Sequence, residues 1–269
     1  EAEDLYAPVI TGTGSRLLTT IAVSHGRKEK SGDCKNAFCH SHLPPDETVI
    51  CKPPPGCPVS KPGTYWLLKK TLYGLQRSPR HWYDTFTGYL KEMGFVPSRN
   101  DPCIFIGKPI PGQPPIYIGT YVDDFKYHSI SDDVEKWFEA ELSKRVKVDF
   151  MGPVSYFLGS RYQWFESEQG LSCHISQPGF TEQLLEKFDM SECKPCSTPY
   201  RSGLKIDRIP HDNLPKEDKT ELINKYQSLM GGLTWLTINT RPDISVAHKL
   251  LSQFQSNPSM GHMEGAKHV

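Results

Sequence analysis

Asp123 and Asp124 are adjacent carboxylates inside residues 116–127, IYIGTYVDDFKY, a stretch otherwise dominated by apolar and aromatic side chains. Two like charges a few ångströms apart repel unless a cation lies between them. A hard divalent cation such as Mg²⁺ takes carboxylate oxygens and keeps positions open for substrate phosphates. The pair could therefore serve metal-assisted chemistry on a phosphorylated substrate. Asp is also a common turn residue, so a plain hairpin tip is the alternative meaning of the same two residues.

The flanking residues must position that pair. Ile116, Ile118 and Val122, with Tyr117, Tyr121, Phe125 and Tyr127, favour β structure and predict two short strands joined by a tight turn. Another acid, Asp33, lies in RKEKSGDCKNAFCHSHL, five positions before Phe38. By itself Asp33 reads as a loop acid and Phe38 as a core aromatic. The charged run at 27–32 is a poor strand and is expected to weaken the backbone that presents Asp33.

The remaining chain alternates helical and extended patterns. Leu17, Leu18, Ile21 and Ala22 predict one helical face over residues 15–25, with Gly26 as the stop. Residues 43–64 are Pro-rich and exclude a helix, with a short strand expected at 48–51. Trp82, Phe86, Leu90 and Met93 recur at helical spacing between Pro79 and Gly94. A helix over 131–146 is expected to start at Ser131 or Asp132, with Glu135 completing a capping box. Residues 150–163 read as extended. Phe180, Leu184, Leu185 and Phe188 give a helix face, residues 205–220 a flexible polar loop, and Tyr226, Leu229, Met230, Leu233 and Leu236 a buried stripe. A last helix is expected from Arg241-Pro242-Asp243-Ile244 onward.

At 269 residues, 37% hydrophobic and 23% charged, the chain suits a folded protein of more than one packed unit. It has no run of about 18 apolar residues, so no membrane partner is expected. The start, EAEDLYAPVI, does not read as a secretory signal. Lys and Arg total 31 and so do Asp and Glu, a neutrality that does not favour nucleic acid but allows a basic groove offset by acidic surface elsewhere. The eight cysteines are expected as reduced thiols in a cytosolic setting, and Cys193-Lys194-Pro195-Cys196 lacks a second pair at zinc spacing.

Three segments together resemble the reverse transcriptase of copia-type LTR retrotransposon Pol polyproteins. They are Tyr121-Val122-Asp123-Asp124, Asp33-x-x-x-Ala37-Phe38, and TLYGLQRSPRHWY at 71–83, the most specific, where Leu72, Tyr73, Gly74, Leu75, Pro79, Arg80 and Trp82 fall in place. Gly94-Phe95, Asp101-Pro102-Cys103-Ile104-Phe105, Tyr156-Phe157-Leu158-Gly159 and TRPDIS at 240–245 extend the resemblance over essentially the whole chain. It implies an α+β right-hand polymerase: partial fingers and palm at 1–150, a primer-grip-like hairpin at 151–175, and a helical thumb and connection at 176–269. It implies RNA-directed DNA synthesis by nucleotidyl transfer onto a primer 3′-hydroxyl. Asp33, Asp123 and Asp124 would be the catalytic acids, holding two Mg²⁺ ions, or Mn²⁺ in their place. Phe38 would be the aromatic gate beneath the sugar, with Gln76 and Tyr121 near the nucleotide. Gly74, Arg77 and Arg80 would face the template, beside Lys69 and Lys70. Phe157, Leu158 and Gly159 would hold the primer end. The implied partners are a primed RNA or DNA template and deoxynucleoside triphosphates. The implied setting is cytoplasmic, inside a virus-like particle, or nuclear. A basic finger strand expected ahead of YAPV and motifs for RNase H, protease and integrase do not stand in these residues, and Cys196 departs from the pattern. Two alternatives remain: a non-catalytic nucleic-acid-binding remnant of the same fold, and a Mg²⁺-dependent phosphohydrolase, for which no convergent base or nucleophile is visible.

Overall fold

A computed structural model describes residues 5–58, 61, 63–200 and 215–269. The chain divides into two compact units, residues 1–154 with 164–173, and residues 155–163 with 174–269.

In the first unit, helix α1 (Gly12–Ser24) begins at Thr11, whose hydroxyl accepts from the Gly14 N–H at 2.9 Å. Thr11 in turn donates its N–H and hydroxyl to buried Asp101, at 3.0 and 2.9 Å. Leu18 and Ala22 are buried, but Leu17 is 54% exposed, so the covered arc is narrower than its apolar spacing implied. There follow β1 (Lys30–Cys34), the hairpin of β2 (Ile50–Cys51) and β3 (Trp66–Leu67), helix α2 (Ser78–Glu92), β4 (Val96–Pro97), β5 (Ile104–Gly107), β6 (Ile116–Tyr121), β7 (Asp124–Ser129), helix α3 (Asp132–Ser143) and β8 (Val148–Pro153). Six strands form one antiparallel sheet in the order β4-β5-β6-β7-β1-β8.

Strand alternation gives this sheet two different faces. Ile116, Ile118, Phe125 and Tyr127 point to one side, where Trp82, Phe86 and Leu90 of α2 and Val134, Phe138 and Leu142 of α3 complete the core. Gly119 and Lys126 point to the other side, beneath α1, whose Ser15 and Thr19 both receive the Lys126 ammonium at 2.8 Å.

The charged run before Asp33 does not loosen its strand. Strand β1 lies inside the sheet, between β7 and β8, and each charge has its partner. Arg27 pairs with Asp132 and, at 3.5 Å, with Glu135. Lys28 meets Glu166 at 2.7 Å, and Lys30 meets Glu135 and Glu139 at 3.0 and 3.1 Å. Glu29 and Lys126 form a fully buried pair at 2.9 Å. Gly32 is dictated by packing, since a Cβ there would stand 2.4 Å from the Phe125 ring. Tertiary ion pairing thus overrides the weak β propensity of KSGDC. Glu135 also departs from its expected cap: Ser131 makes no side-chain capping bond, and the buried Glu135 carboxylate accepts from the Ser129 N–H at 2.9 Å.

Strand β9 (Tyr156–Phe157) of the second unit pairs with the start of β10 (Ser160–Ser167); β10 and β11 (Gly170–Ser176) each contain residues of both units. Four helices follow: α4 (Pro178–Lys187), α5 (Lys216–Asn239), α6 (Ser245–Ser252) after a short 3-10 turn at Pro242–Ile244, and α7 (Met260–His268). Their core joins Tyr226, Met230 and Leu233 of α5 to Ile244, Leu251, Phe254 and Met263. Of the loop expected at 205–220, residues 205–214 lie outside the described residues, and 216–220 form the first turns of α5. Helix α7 has little apolar periodicity; Ser259 and His262 cap its start reciprocally. The eight cysteines carry thiols rather than disulfides, and no helix of the described residues is long and apolar enough to cross a membrane.

Candidate active site

Tyr121 pairs directly with Asp124 across β6 and β7, so the hairpin loop is only Val122 and Asp123. Two-residue loops need positive φ to follow the twist of their strands. Val122 supplies it at φ +54°, a costly conformation for a β-branched residue. Both loop carbonyls are held. The Trp82 indole N–H donates to Val122 O at 2.6 Å, and the Cys34 N–H donates to Asp123 O at 2.9 Å.

The same registers collect the acids. Asp33 lies opposite Asp124 on β7 and opposite Asp149 on β8. Opposed residues of antiparallel strands share a face, so Asp33, Asp124 and Asp149 form a row on the side away from the aromatic core, with Asp123 at the adjacent tip. Burial, and then the charges of Asp123 and Asp33, push the Asp124 carboxyl up to about 6. Asp33 is raised for the same reasons, burial first and then Asp123 and Asp149, with Lys35 opposing. Lys35 itself sits 2.5 Å from Asp149. Burial and the surrounding acids keep the Cys34 thiol protonated far above its ordinary range.

Hard oxygen donors, with the proton affinities of Asp33 and Asp124 raised by burial and neighbouring acids, suit a hard divalent cation. The fold brings Asp33, Asp123 and Asp124 to the same turn, and among the described residues no three such groups are already arranged to hold an ion.

Beside the acids, Phe38 lies in a short 3-10 turn, Ala37–His40, entered through Asn36 at φ +53°. Its ring packs against Tyr73 with centroids 4.7 Å apart. Burial, and then the charge of Asp123 with smaller effects of Cys39 and Asp33, raise the Tyr73 phenol. Tyr73 thus stands between the Phe38 ring and the charge of the acid turn. Both Tyr73 and Trp82 stand in the 71–83 motif, but nothing in the sequence pointed to the contact of Tyr73 with Phe38 or of the Trp82 indole with Val122.

The sequence matches the family model described as reverse transcriptase (RNA-dependent DNA polymerase) over residues 1–202. The chain belongs to the reverse transcriptase family. It is 29% identical over 268 residues to the retrovirus-related Pol polyprotein from transposon TNT 1-94 of Nicotiana tabacum, covering 99% of this chain and 20% of that protein. It is 33% identical over 266 residues to the corresponding polyprotein from transposon RE2 of Arabidopsis thaliana, covering 99% of this chain and 17% of the other. A putative transposon Ty5-1 protein of Saccharomyces cerevisiae is 28% identical over 238 residues, 88% of this chain and 73% of that one. The chain therefore spans about a fifth of the length of the plant polyproteins it matches. No solved structure matches.

The other expected site residues of this reverse transcriptase chain fall in two places. In the first unit, Tyr121 shares the acid face through its pairing with Asp124. Gly74 turns the chain before α2 at φ +94°, and Gln76 is exposed in that turn. Arg77 lies 3.6 Å from Glu47, and Arg80 pairs with Asp84 at 2.9 Å and donates to Tyr6 O at 3.3 Å. In the second unit, Leu158 and Gly159, both at positive φ, make the two-residue turn between β9 and β10, and Phe157 is buried.

Proposed function

We propose that this chain is the polymerase segment of a copia-type Pol polyprotein and catalyses RNA-directed DNA synthesis. The observation that carries the reading is the row of Asp33 and Asp124 on one sheet face, with Asp123 at the strained Val122 turn beside them. Two bound Mg²⁺ or Mn²⁺ ions would activate the primer 3′-hydroxyl and neutralise the triphosphate leaving group. Asp33, Asp123 and Asp124 would hold them, turning their carboxylates inward on a backbone already fixed by the sheet. The chain's own contribution is positioning. The sheet fixes where the acids stand, and the Phe38–Tyr73 pair shapes the space beside them. Tyr121 and Gln76 belong to the nucleotide's surroundings, and Gly74, Arg77 and Arg80 to the template's.

In this reading the first unit is fingers and palm of a right-hand polymerase, and the second is thumb and connection. The β9–β10 turn, with Phe157, Leu158 and Gly159, serves as primer grip. The partners are a primed RNA or DNA template and deoxynucleoside triphosphates.

The test is extension of a labelled primer on an RNA template with Mg²⁺ and deoxynucleotides. Template-dependent extension, lost in Asp123→Asn, supports the proposal. Tight primer–template binding without extension identifies a non-catalytic remnant. Release of phosphate from a simple ester without any template identifies a hydrolase.

A further inference from the structure

We infer that Trp82 is a positioning residue of the acid turn: its indole N–H holds the Val122 carbonyl and so sets the direction in which Asp123 and Asp124 are presented. The inference rests on the polymerase reading of that turn and names a part that helix α2 plays in it.

The turn does not keep its shape by local preference. A β-branched residue at φ +54° is disfavoured, and Gly or Asn is the usual occupant of such a position. The conformation persists only if the surroundings impose it. Strand pairing ends at Tyr121 and Asp124. Beyond that pair, the Cys34 N–H holds Asp123 O at 2.9 Å and the Trp82 indole holds Val122 O at 2.6 Å. The first donor comes from the strand that carries Asp33. The second comes from helix α2, whose first turns are the SPRHW segment itself.

Packing does not require an indole at this place. Trp82 is 1% exposed and stacks on Phe86 with ring centroids 5.3 Å apart. A phenyl ring could make that contact, but only the indole adds a donor. The donor meets the carbonyl of the peptide that leads into Asp123, while Cys34 holds the carbonyl of the peptide between Asp123 and Asp124. Helix α2 is itself fixed at its start, where the Ser78 hydroxyl donates to Leu72 O at 2.7 Å. Trp82 therefore ties the acid turn to the segment next to Tyr73 and Gly74.

The test substitution is Trp82→Phe, which keeps an aromatic ring and removes the donor. Mn²⁺ affinity is read by electron paramagnetic resonance, extension by single-turnover kinetics, primer–template affinity by anisotropy, and folding by thermal melting. A hydrogen bond whose loss leaves a carbonyl unsatisfied is worth about tenfold. We expect Mn²⁺ affinity and extension rate each to fall about tenfold by that reasoning, with primer–template affinity unchanged and the chain still folded at the assay temperature. Asn tolerates the left-handed conformation of position 122, so Val122→Asn added to Trp82→Phe is expected to recover part of the Mn²⁺ affinity. A packing role for Trp82 would give no such recovery. Unchanged Mn²⁺ affinity in Trp82→Phe, or losses that follow only the unfolded fraction with no rescue by Asn, would overturn the inference. Proton exchange at the Trp82 indole in the parent chain needs no variant: slow exchange supports the bond, and exchange as fast as an exposed indole overturns it. Failure of the polymerase reading shows separately, as parent Mn²⁺ binding and extension that are indifferent to Asp123→Asn.

Discussion

Asp33 on β1 and Asp124 on β7 stand directly opposite one another in an antiparallel register, with their side chains on the face away from the aromatic core. Residues far apart in sequence thus meet through backbone pairing, and their charges are coupled before any cation arrives. The Asp124 carboxyl shows the result, raised to about 6 by burial and by Asp123 and Asp33.

That shift predicts a pH dependence of stability. An acid with a raised folded-state value binds its proton more tightly in the folded chain than in the unfolded one. The metal-free chain should therefore gain stability as pH falls from 7 through 6 towards 4, and the gain should be complete below the unfolded value. Asp124→Asn should lack this component, and Mg²⁺ should stabilise the parent above pH 6 more than below it. Urea midpoints across that range make the comparison. Parallel pH profiles for parent and variant would mean that Asp124 is not strained by its neighbours.

Sugar selection should depend on Phe38. Its ring is only partly buried and is seated on Tyr73 at 4.7 Å. Phe38→Val should admit ribonucleotides with a smaller loss of deoxynucleotide incorporation, because a packed site rejects overlap more strongly than it misses a methylene. Fully buried aromatics lose ~3–5 kcal/mol on truncation, and Phe38 should lose less. The ratio of the two incorporations, measured beside the melting temperature, decides. An unchanged ratio with a large drop in melting temperature would make Phe38 a core residue alone.

The buried Lys126–Glu29 pair should carry much of the stability of the sheet face beneath α1. Both side chains are inaccessible, and the ammonium also meets Ser15 O and the Thr19 hydroxyl. Lys126→Met leaves a buried carboxylate behind and should cost ~3–5 kcal/mol. Replacing both partners with apolar residues should cost less than the single change. Chemical denaturation of the two variants tests this ordering, and a double variant less stable than Lys126→Met would refute it.

Primer–template binding should weaken as salt rises, even though the chain is net neutral. Lys69, Lys70, Arg77 and Arg80 flank the turn before α2, and their substitution should flatten the salt slope by about one for each phosphate no longer neutralised. Anisotropy titrations at several salt concentrations measure that slope. An affinity indifferent to salt would remove this footprint.

The YVDD hairpin was legible because β-favouring residues flank a two-residue turn. Helix α2 was legible from its 3.6-residue spacing between Pro79 and Gly94. The strand of Asp33 was not legible. Its order comes from Asp132, Glu135, Glu139, Lys126 and Glu166, all distant in sequence, and propensity is a local property. Glu135 misled for the same reason, since its spacing suits a cap while its carboxylate is drawn inward by Arg27, Lys30 and the Ser129 N–H. Asp149 and Lys35 went unremarked because only the β1–β8 register places them beside Asp33. Tyr73 and Trp82 were seen as motif residues, but their contacts to Phe38 and Val122 required the folded turn.

The most direct measurement of the central claim is single-nucleotide extension of a labelled DNA primer on an RNA template, by this chain and by its Asp123→Asn variant, with Mg²⁺ and matched primer–template affinities. Removal of an essential group commonly costs a thousandfold or more in rate, so the variant should be slower by at least ~1000-fold while its primer–template affinity stays within about twofold. Extension at the parent rate by the variant, or binding by both without extension by either, would contradict the account.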